Sequence, residues 1–274
     1  MSIDIQTNYA ALSAQKNLNS NQSMLAGSFQ KLSSGFRVNS AADDAAGLAI
    51  SESMKSDIRS YTVAARNAGD AQSMAQTAEG ALGDIHDVLG RMRELATQSS
   101  NGDLDSTDRS YIETEFSSLQ AEVSRTQQST KFNGVNLINT TASNVTFQVG
   151  LDNTASDQIT LTFGGVGLNN ITTTTVSLAT ATGALNALTT IDTAIQDVST
   201  ARAKFGTAMN RMDVATNNIN TMSLNLTAAN SRIVDVDVAS ETANLSRNQV
   251  LVQAGAAVLA QANQIPQLAL KLLQ

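Results

Sequence analysis

The feature that most constrains this chain is an apolar residue at every seventh position between residues 191 and 233. The positions are Ile191, Val198, Phe205, Met212, Ile219, Leu226 and Ile233. A sustained seven-residue apolar repeat is typical of a helix that packs along one seam against other helices. The companion positions are mixed, because Ile195 and Met209 are apolar whereas Arg202 is charged. The repeat therefore predicts a long helix that packs against helices of the same molecule.

Three further helices are predicted in the first half of the chain. Apolar residues recur at three- or four-residue steps over residues 11–36, 43–98 and 108–128, which is the spacing of one helix face. If 43–98 is one helix, it is roughly 80 Å long at 1.5 Å per residue. Asn101-Gly102 interrupts the pattern between the second and third of these helices.

The two ends of the chain each carry one apolar stripe. Residues Leu18, Leu25 and Leu32 mark the first stripe, and Leu251, Val258, Ile265 and Leu272 mark the second. Each helix alone is marginal in water. We therefore expect the stripes to be buried against each other or against further copies, and we refer to these residues as the two terminal seams.

The centre of the chain changes period. Residues 145–149 and 159–163 alternate apolar and polar, which predicts a β-hairpin with one buried face. Asn133-Gly134 signals a tight turn, and 164–184 is interpreted as loop with at most one short strand. The predicted fold is thus mainly α: a long antiparallel helical or coiled-coil bundle with a small central β-hairpin region and paired terminal helices.

Composition and charge narrow the function classes. A net charge of −7 disfavours nucleic-acid binding, because neutralising phosphates needs a basic surface. The absence of cysteine excludes disulfides and thiolate metal sites. The uncharged stretch 248–270 could span a bilayer by length, but its Gln and Asn amides would lack partners in lipid. We expect no membrane insertion, and the first 15 residues do not resemble a cleaved Sec signal peptide.

Catalytic chemistry finds little support in the sequence. His86 is the single histidine, and we interpret it as a solvated helix residue. The Gly-rich run at 164–167 fits no dinucleotide fingerprint. We predict no catalytic residue, no metal site and no cofactor, and hence no enzyme.

The adjacent carboxylates Asp43-Asp44 are the remaining candidate for chemistry, since paired acids can hold a metal or divide acid and base roles. Ser40 to Asp43 matches a capping box, which begins a helix, and Gly35 suits the left-handed end of the preceding helix. We therefore predict that Gly35, Ser40 and Asp43 form a joint between two helices.

A charged stretch, "GRMRELATQSS", occupies residues 90–100. Asp87 and Arg91 are four residues apart with the acid first, which predicts an ion pair on the helix surface. On spacing alone this stretch is a solvated face, a subunit contact or a receptor epitope.

Several segments of the sequence resemble bacterial flagellin. The resemblance is carried by "LSSGFRVNSAADDAAGLAIS" at 32–51, by residues 67–102, by "TKFNGVNL" at 130–137 and by residues 201–273, which include "NSRIVDVDVASETANLSRNQVL". The matching segments cover both ends and most of the chain, and residues 140–186 are not distinctive.

The resemblance implies an extracellular structural subunit that self-assembles into the helical flagellar filament. It implies as partners further copies of the chain, hook-associated junction and cap proteins, and a cytosolic flagellin export chaperone. It also implies that a host Toll-like receptor recognises the chain as its ligand, with contacts at Arg91, Arg93, Glu94, Leu95 and Glu115. Position 90 is Gly where the family commonly has Gln. A hook–filament junction protein is the alternative within the same class, and an enzyme-bearing flagellin is the alternative from another class.

The resemblance also implies a layered organisation without large outer domains. The expected inner layer is an N-terminal helix at 1–38 paired with a C-terminal helix at 235–274. The expected joint is 39–44. The expected outer bundle consists of the long helix, second helix and hairpin at 45–186 and the C-terminal long helix at 187–234.

Overall fold

The computed structural model describes residues 7–172 and 176–272, with side chains up to residue 264. The helices are α1 (Tyr9–Ser34), α2 (Ala45–Ser99), α3 (Ser106–Ser129), α4 (Asn169–Thr172), α5 (Ala181–Val234) and α6 (Val238–Leu272), and the strands are β1 (Lys131–Phe132), β2 (Val135–Asn136), β3 (Ser143–Gln148) and β4 (Gln158–Phe163). The terminal helices α1 and α6 pack on each other. The predicted mainly α fold with paired termini and a small β region is confirmed.

The ends of α1 are capped by the residue types that its sequence offers. The Oδ1 of Asn8 accepts a hydrogen bond from the N–H of Ala11 at 3.1 Å, which satisfies a free donor of the first turn. Gly35 ends the helix at φ 74°, and its N–H donates to the carbonyl of Lys31. Only glycine adopts this left-handed conformation without a Cβ penalty.

The predicted capping box lies one turn too early. Residues 40–43 form a turn, and α2 begins at Ala45. The cap is Asp44, whose Oδ1 accepts from the N–H of Gly47 at 2.8 Å. Asp43 instead closes the turn, accepting from the backbone N–H of Asn39 and from both the N–H and Oγ of Ser40. Asp43 bonds back to the turn, whereas Asp44 bonds forward into the helix. The capping-box pattern could not tell these two acids apart and therefore misplaced the start of α2.

The chain divides into two compact units, one formed by residues 1–56 and 225–274 and the other by residues 57–224. The second unit is built on one hydrophobic core made by α2, α3, α5 and the β region. The core positions of the first half of α2 are mostly alanine and those that follow are larger. The first set is Ala64, Ala68, Ala71, Ala75 and Ala78 together with Met74, and the second is Leu82, Ile85, Leu89 and Met92. Alanines allow close approach of neighbouring helices, which is how a chain with 4 % aromatic residues fills its interior.

The seven-residue seam of α5 divides between the two units. Ile191, Val198, Phe205, Met212 and Ile219 are buried in the core of the second unit. Phe205 stacks on Phe163 of β4, with ring centroids 5.4 Å apart. Leu226 and Ile233 belong to the first unit and are half-buried.

The β region consists of two antiparallel pairs, β1 with β2 and β3 with β4. The first pair turns on Asn133 and Gly134, with φ of 47° and 81°, as a two-residue hairpin turn requires. In the second pair Val145 lies opposite Leu161 and Phe147 opposite Ile159. The predicted hairpin is therefore present with the expected apolar residues on one face.

The segment between β4 and α5 differs from the predicted loop. It contains the single-turn helix α4, and α5 begins at Ala181 rather than at residue 187. Side chains of α2 and α3 hold this segment in place. Gln120 donates to the carbonyls of Ile171 and Val176, and Ser99 donates to Leu178 at 2.6 Å. These contacts are long-range, so local sequence patterns carry no trace of them.

Candidate assembly surfaces

The helices α1 and α6 pack in an antiparallel arrangement. At one end the Nδ2 of Asn8 donates to the carbonyl of Ala262 at 2.8 Å. At the other end Phe36 and Asp235 form an isolated antiparallel bridge. Between them a Cβ placed on Gly255 lies 3.4 Å from Cδ1 of Leu18, so a side chain at this position of α6 would press directly on α1.

The interface of this helix pair is thin. Among the described residues, the side chains buried in this pair are small or polar, namely Ala14, Ser28, Asn248 and Ala262. The predicted α1 seam, Leu18, Leu25 and Leu32, is half-buried. Because burial of apolar area stabilises helices at roughly 25 cal/mol per Å², a pair with so few large buried side chains gains little from its own contact.

The predicted seam of α6 lies at the edge of the face that contacts α1, because residues four apart on a helix share one face. Leu251 is 41 % and Val258 is 58 % exposed, whereas the side toward α1 carries Gly255 and Ala262. Ile265 and Leu272 belong to the same predicted stripe, and their side chains lie outside the described residues. Leu12 and Phe29 of α1 are likewise more than half exposed. The helix pair therefore presents uncovered apolar side chains on both of its helices.

The residues that follow α1 are bonded to the last residues of α5 and to the segment after it. The N–H of Val236 donates to Gly35 at 3.0 Å, and the N–H of Arg37 donates to Val234 at 2.6 Å. The guanidinium of Arg37 also donates to the carbonyl of Ile233, and Nζ of Lys55 lies 5.9 Å from the centroid of the Phe36 ring. Phe36, the last residue of the predicted helix 11–36, lies instead in this bridge, since Gly35 has already ended the helix.

Of the predicted joint residues, Ser40 and Asp43 are bonded to each other. The hydroxyl of Ser40 donates to the Asp43 carboxylate at 2.9 Å. This bond, together with the backbone N–H donors of Ser40 and Asn39, holds the pKa of Asp43 below its usual value. The carboxylate thus acts as a hydrogen-bond acceptor for the turn.

The charged stretch on α2 forms exposed ion pairs within the second unit. The guanidinium of Arg91 contacts Glu94 at 2.8 Å and Glu115 of α3 at 2.9 Å, and these bonds raise its pKa. Arg93 pairs with Asp192 of α5 at 2.6 Å, a partner that no local pattern indicates. The predicted pair of Arg91 with Asp87 is wrong, because the guanidinium reaches α3 instead.

Leu95 does not share the exposure of these charged residues. It is 2 % exposed and belongs to the hydrophobic core. The side chains of the predicted receptor set that reach the surface are Arg91, Arg93, Glu94 and Glu115. In this conformation Leu95 supports the patch from beneath and offers no contact of its own.

His86 is half-buried rather than solvated, and its Nδ1 is buried without a hydrogen-bond partner. Among the described residues no group of three or more His, Cys, Asp or Glu side chains is arranged to hold a metal ion. No helix within the described ranges is long and apolar enough to cross a membrane.

A cavity of about 480 Å³ lies between the β3–β4 connection and α5, beside Tyr61, Asp157 and Arg211. It brings together one acid, one base and a phenol at an open surface, without a nucleophile paired to a general base. The fold and its surfaces thus define a class: a helical subunit with paired termini, whose prominent feature is uncovered apolar surface.

Comparison with known proteins places the chain within that class. The profile of the bacterial flagellin N-terminal helical region matches residues 5–143. The profile of the bacterial flagellin C-terminal helical region matches residues 188–273. The chain belongs to the bacterial flagellin family.

Similarity to individual flagellins extends over nearly the whole chain. The chain is 42 % identical over 272 residues to flagellin of Halalkalibacterium halodurans, covering 98 % of this chain and 99 % of the relative. It is 39 % identical to flagellin of Bacillus subtilis, with the same coverage of both chains. It is 38 % identical to the flagellar filament 33 kDa core protein of Treponema phagedenis, again with 98 % and 99 % coverage.

The fold agrees with a solved member of the family. The crystal structure of Bacillus cereus flagellin matches with a TM-score of 0.50 and 35 % identity, covering 60 % of this chain and 94 % of that one. Flagellins are structural proteins, which agrees with the non-enzymatic interpretation of the sequence.

Proposed function

We propose that this chain is a structural subunit of the bacterial flagellar filament and that copies assemble through α1 and α6. The observation that carries the proposal is the uncovered apolar stripe of α6, where Leu251 and Val258 are exposed beside an already formed helix pair. A thin intramolecular interface with apolar side chains left outside is what a subunit needs if further burial comes from its neighbours.

The exposed residues favour an open polymer over a closed dimer. The apolar residues left exposed on α1, such as Leu12 and Phe29, differ from those on α6, such as Leu251 and Val258. A contact between two unlike patches is heterologous, and repeating it generates a ring or an open helical array. The Treponema phagedenis relative is named as a core protein of the flagellar filament. We infer that the filament of this chain is likewise an open helical array.

The test is a single charge on the stripe. Val258→Asp places a carboxylate at a side chain that is 58 % exposed, so the isolated chain is expected to keep its helix content. In a polymer that buries this position, the unpaired charge costs several kcal/mol, and filaments are expected to be lost. Seeded polymerisation followed by light scattering and electron microscopy measures the effect.

The matched control is Gln253→Asp, which adds the same charge on the same helix at an exposed polar position outside the predicted seam. It is expected to polymerise. Deleting residues 255–274 is expected to abolish filaments while the second unit stays folded. Filaments formed by Val258→Asp or by the truncated chain would contradict assembly through this stripe.

The layered organisation is part of the same proposal. We infer an inner layer from residues 1–38 and 235–274, a joint at 39–44, and an outer bundle from 45–186 and 187–234. The α1–α6 contact supports this division, and so do the hydrogen bonds of Gly35 to Val236 and of Arg37 to Val234, the last residue of α5. Both alternatives, a junction protein and an enzyme-bearing flagellin, lack a supporting observation among the relatives, which are named flagellins or filament core proteins.

Location and partners follow from filament membership. We propose an extracellular location in the filament, with junction and cap proteins at the filament ends. We also propose that a cytosolic chaperone holds the C-terminal segment before export, because an exposed apolar stripe such as that of α6 invites aggregation. Binding of a chaperone is expected to be weakened by Val258→Asp and unaffected by Gln253→Asp.

A second role as a ligand of a host Toll-like receptor rests on the exposed ion pairs. The side chains of Arg91 and Glu115 are 51 % and 47 % exposed and bonded to each other, so they form a preorganised charged patch across two helices. The double variant Arg91→Ala with Glu115→Ala is expected to reduce receptor signalling without changing helix content. The exposed pair Glu122–Arg125 of α3 provides the matched control, and equal signalling from both double variants would rule out this role for the patch.

A further inference from the structure

We propose that Asn101 is a site of spontaneous deamidation, in which its side-chain amide is converted to a carboxylate by way of a cyclic imide with Gly102. This covalent modification is independent of filament assembly. It depends on the geometry of the loop between α2 and α3, and the chain contains a second Asn-Gly pair, Asn133-Gly134, that serves as an internal comparison.

The Asn101-Gly102 pair is accessible. Both residues are exposed in the loop that follows α2, and a Cβ built on Gly102 has no atom within 4 Å. Neither the side chain of Asn101 nor the N–H of Gly102 makes a hydrogen bond to any described residue. The two reacting groups are therefore unprotected.

One basic side chain holds this loop. Arg109 of α3 donates from Nε to the carbonyl of Ser99 at 3.0 Å, from Nη1 to Leu104 at 2.7 Å and from Nη2 to Asn101 at 2.7 Å. The last of these bonds is made to the peptide unit whose nitrogen belongs to Gly102. A cation on the carbonyl oxygen of a peptide stabilises the negative charge that develops when its N–H loses a proton.

The reaction balances without a redox partner. The N–H of Gly102 gives its proton to solvent, and the nitrogen attacks Cγ of Asn101. The bond from Cγ to the side-chain nitrogen breaks, and ammonia leaves after taking up a proton. Water then opens the imide at either carbonyl, giving aspartate or isoaspartate. Arg109 acts in this scheme as a positioning residue that polarises the Asn101 carbonyl.

The second Asn-Gly pair differs in backbone freedom. Asn133 and Gly134 are held at φ of 47° and 81°, and the residues on both sides are paired, Phe132 with Val135 and Lys131 with Asn136. Imide formation requires the asparagine backbone to rotate until the next nitrogen reaches Cγ, and in this turn that rotation breaks the strand pairing. The pair at 133–134 is therefore expected to react more slowly than the pair at 101–102.

The product changes the charge of a loop that is already acidic. A carboxylate at position 101 joins Asp103 and Asp105 and lies at the C-terminal end of α2, where negative charge is unfavourable with the helix dipole. An isoaspartate also lengthens the backbone inside the set of carbonyls that Arg109 holds.

The test is peptide mapping of the intact chain by mass spectrometry during incubation at mildly alkaline pH. We expect the peptide containing Asn101 to gain the mass of an amide-to-acid conversion at least about tenfold faster than the peptide containing Asn133, a difference of about 1.4 kcal/mol in activation free energy. Equal rates at the two sites, or faster reaction at Asn133, would overturn the proposal.

Incubation in denaturant separates structure from sequence. Both pairs have glycine as the following residue, so their rates are expected to converge once the chain is unfolded. If the tenfold difference persists in denaturant, the neighbouring sequence rather than the fold is responsible and the structural argument is wrong. Asn101→Gln is expected to remove the fast reaction while leaving the rate at Asn133 unchanged.

Discussion

Arg202 of α5 donates to one carboxylate oxygen of Glu79 on α2 from both Nε and Nη2, at 3.0 and 2.7 Å. The two groups are about one-third exposed. The same face of α2 makes two further polar contacts to α5 at seven-residue steps, Gln72 with Asp213 and Arg93 with Asp192. His86 lies at the seven-residue step between Glu79 and Arg93, and its buried Nδ1 has no hydrogen-bond partner among the described residues.

This arrangement predicts that His86 costs stability. His86→Leu removes a buried polar atom without a partner, which is expected to raise the free energy of unfolding by about 1 kcal/mol. Urea unfolding followed by circular dichroism measures the change. The matched control is Gln72→Leu, which loses the hydrogen bond to Asp213 and is expected to be neutral or destabilising. A larger loss of unfolding free energy in His86→Leu than in Gln72→Leu would contradict this assignment.

Gly164 is predicted to tolerate no side chain. Its φ is +74°, and a Cβ would lie 2.3 Å from Oδ1 of Asn139 and 2.4 Å from the carbonyl of Thr141. Gly164→Ala is therefore expected to destabilise the chain by about 1–3 kcal/mol through backbone strain and crowding. Thermal unfolding measures the loss.

The contrasting variant is Gly69→Ala in α2. There a new Cβ meets no atom within 4 Å, and alanine favours the helix interior by roughly 0.8–1 kcal/mol over glycine. It is expected to stabilise the chain. If both alanine variants shift the unfolding midpoint in the same direction, the steric interpretation of Gly164 is incorrect.

Asp43 is predicted to make the turn before α2 sensitive to acid. Because hydrogen bonds from Ser40 and Asn39 lower the pKa of Asp43 in the folded chain, its stabilising effect is present above the pKa of the unfolded chain. The effect is lost as the pH falls through the depressed folded value. Asp43→Asn is expected to lower the unfolding midpoint at neutral pH, and the difference from the parent chain is expected to vanish in acid.

Thermal scans at several pH values test this dependence. The same substitution at Asp70, an exposed residue within α2, controls for the loss of one negative charge. A difference between Asp43→Asn and the parent chain that stays constant down to strongly acidic pH would refute the assignment.

Gly255 is predicted to set the approach of α1 and α6. A Cβ at this position already lies 3.4 Å from Leu18, so Gly255→Leu is expected to force the two helices apart. Hydrogen exchange at the backbone amides of α1 is expected to accelerate in the variant. Gly27→Leu is the control, since a Cβ there meets no atom within 4 Å, and unchanged exchange in both variants would show that Gly255 has no such role.

Sequence periodicity predicted the helices and the β3–β4 hairpin because these depend on local spacing. The five buried seam residues from Ile191 to Ile219 follow a repeat that any helix of that phase would bury. The α4 turn and the early start of α5 could not be predicted, since they depend on contacts such as that of Gln120 with Ile171, 51 residues apart.

The candidate surfaces were predicted less completely. Exposed charge at Arg91 follows from the helix pattern, but its partner Glu115 lies on another helix, and the local rule favoured Asp87 instead. Leu95 was grouped with the charged residues through family resemblance, whereas its phase on α2 makes it a core residue. The contacts of Gly255 and Asn8 could not be predicted, because contacts between the two ends of a chain leave no local signal in the sequence.

The bridge between Phe36 and Asp235 has a consequence for the way the terminal helices come apart. Among the described residues, their pairing is held by several backbone hydrogen bonds at this end and by one side-chain bond, that of Asn8, at the other. Separation of the two helices is therefore expected to start at the Asn8 end and to proceed toward the bridge. Because the bridge keeps matched residues opposite each other, the helices can part and close again without slipping by a turn.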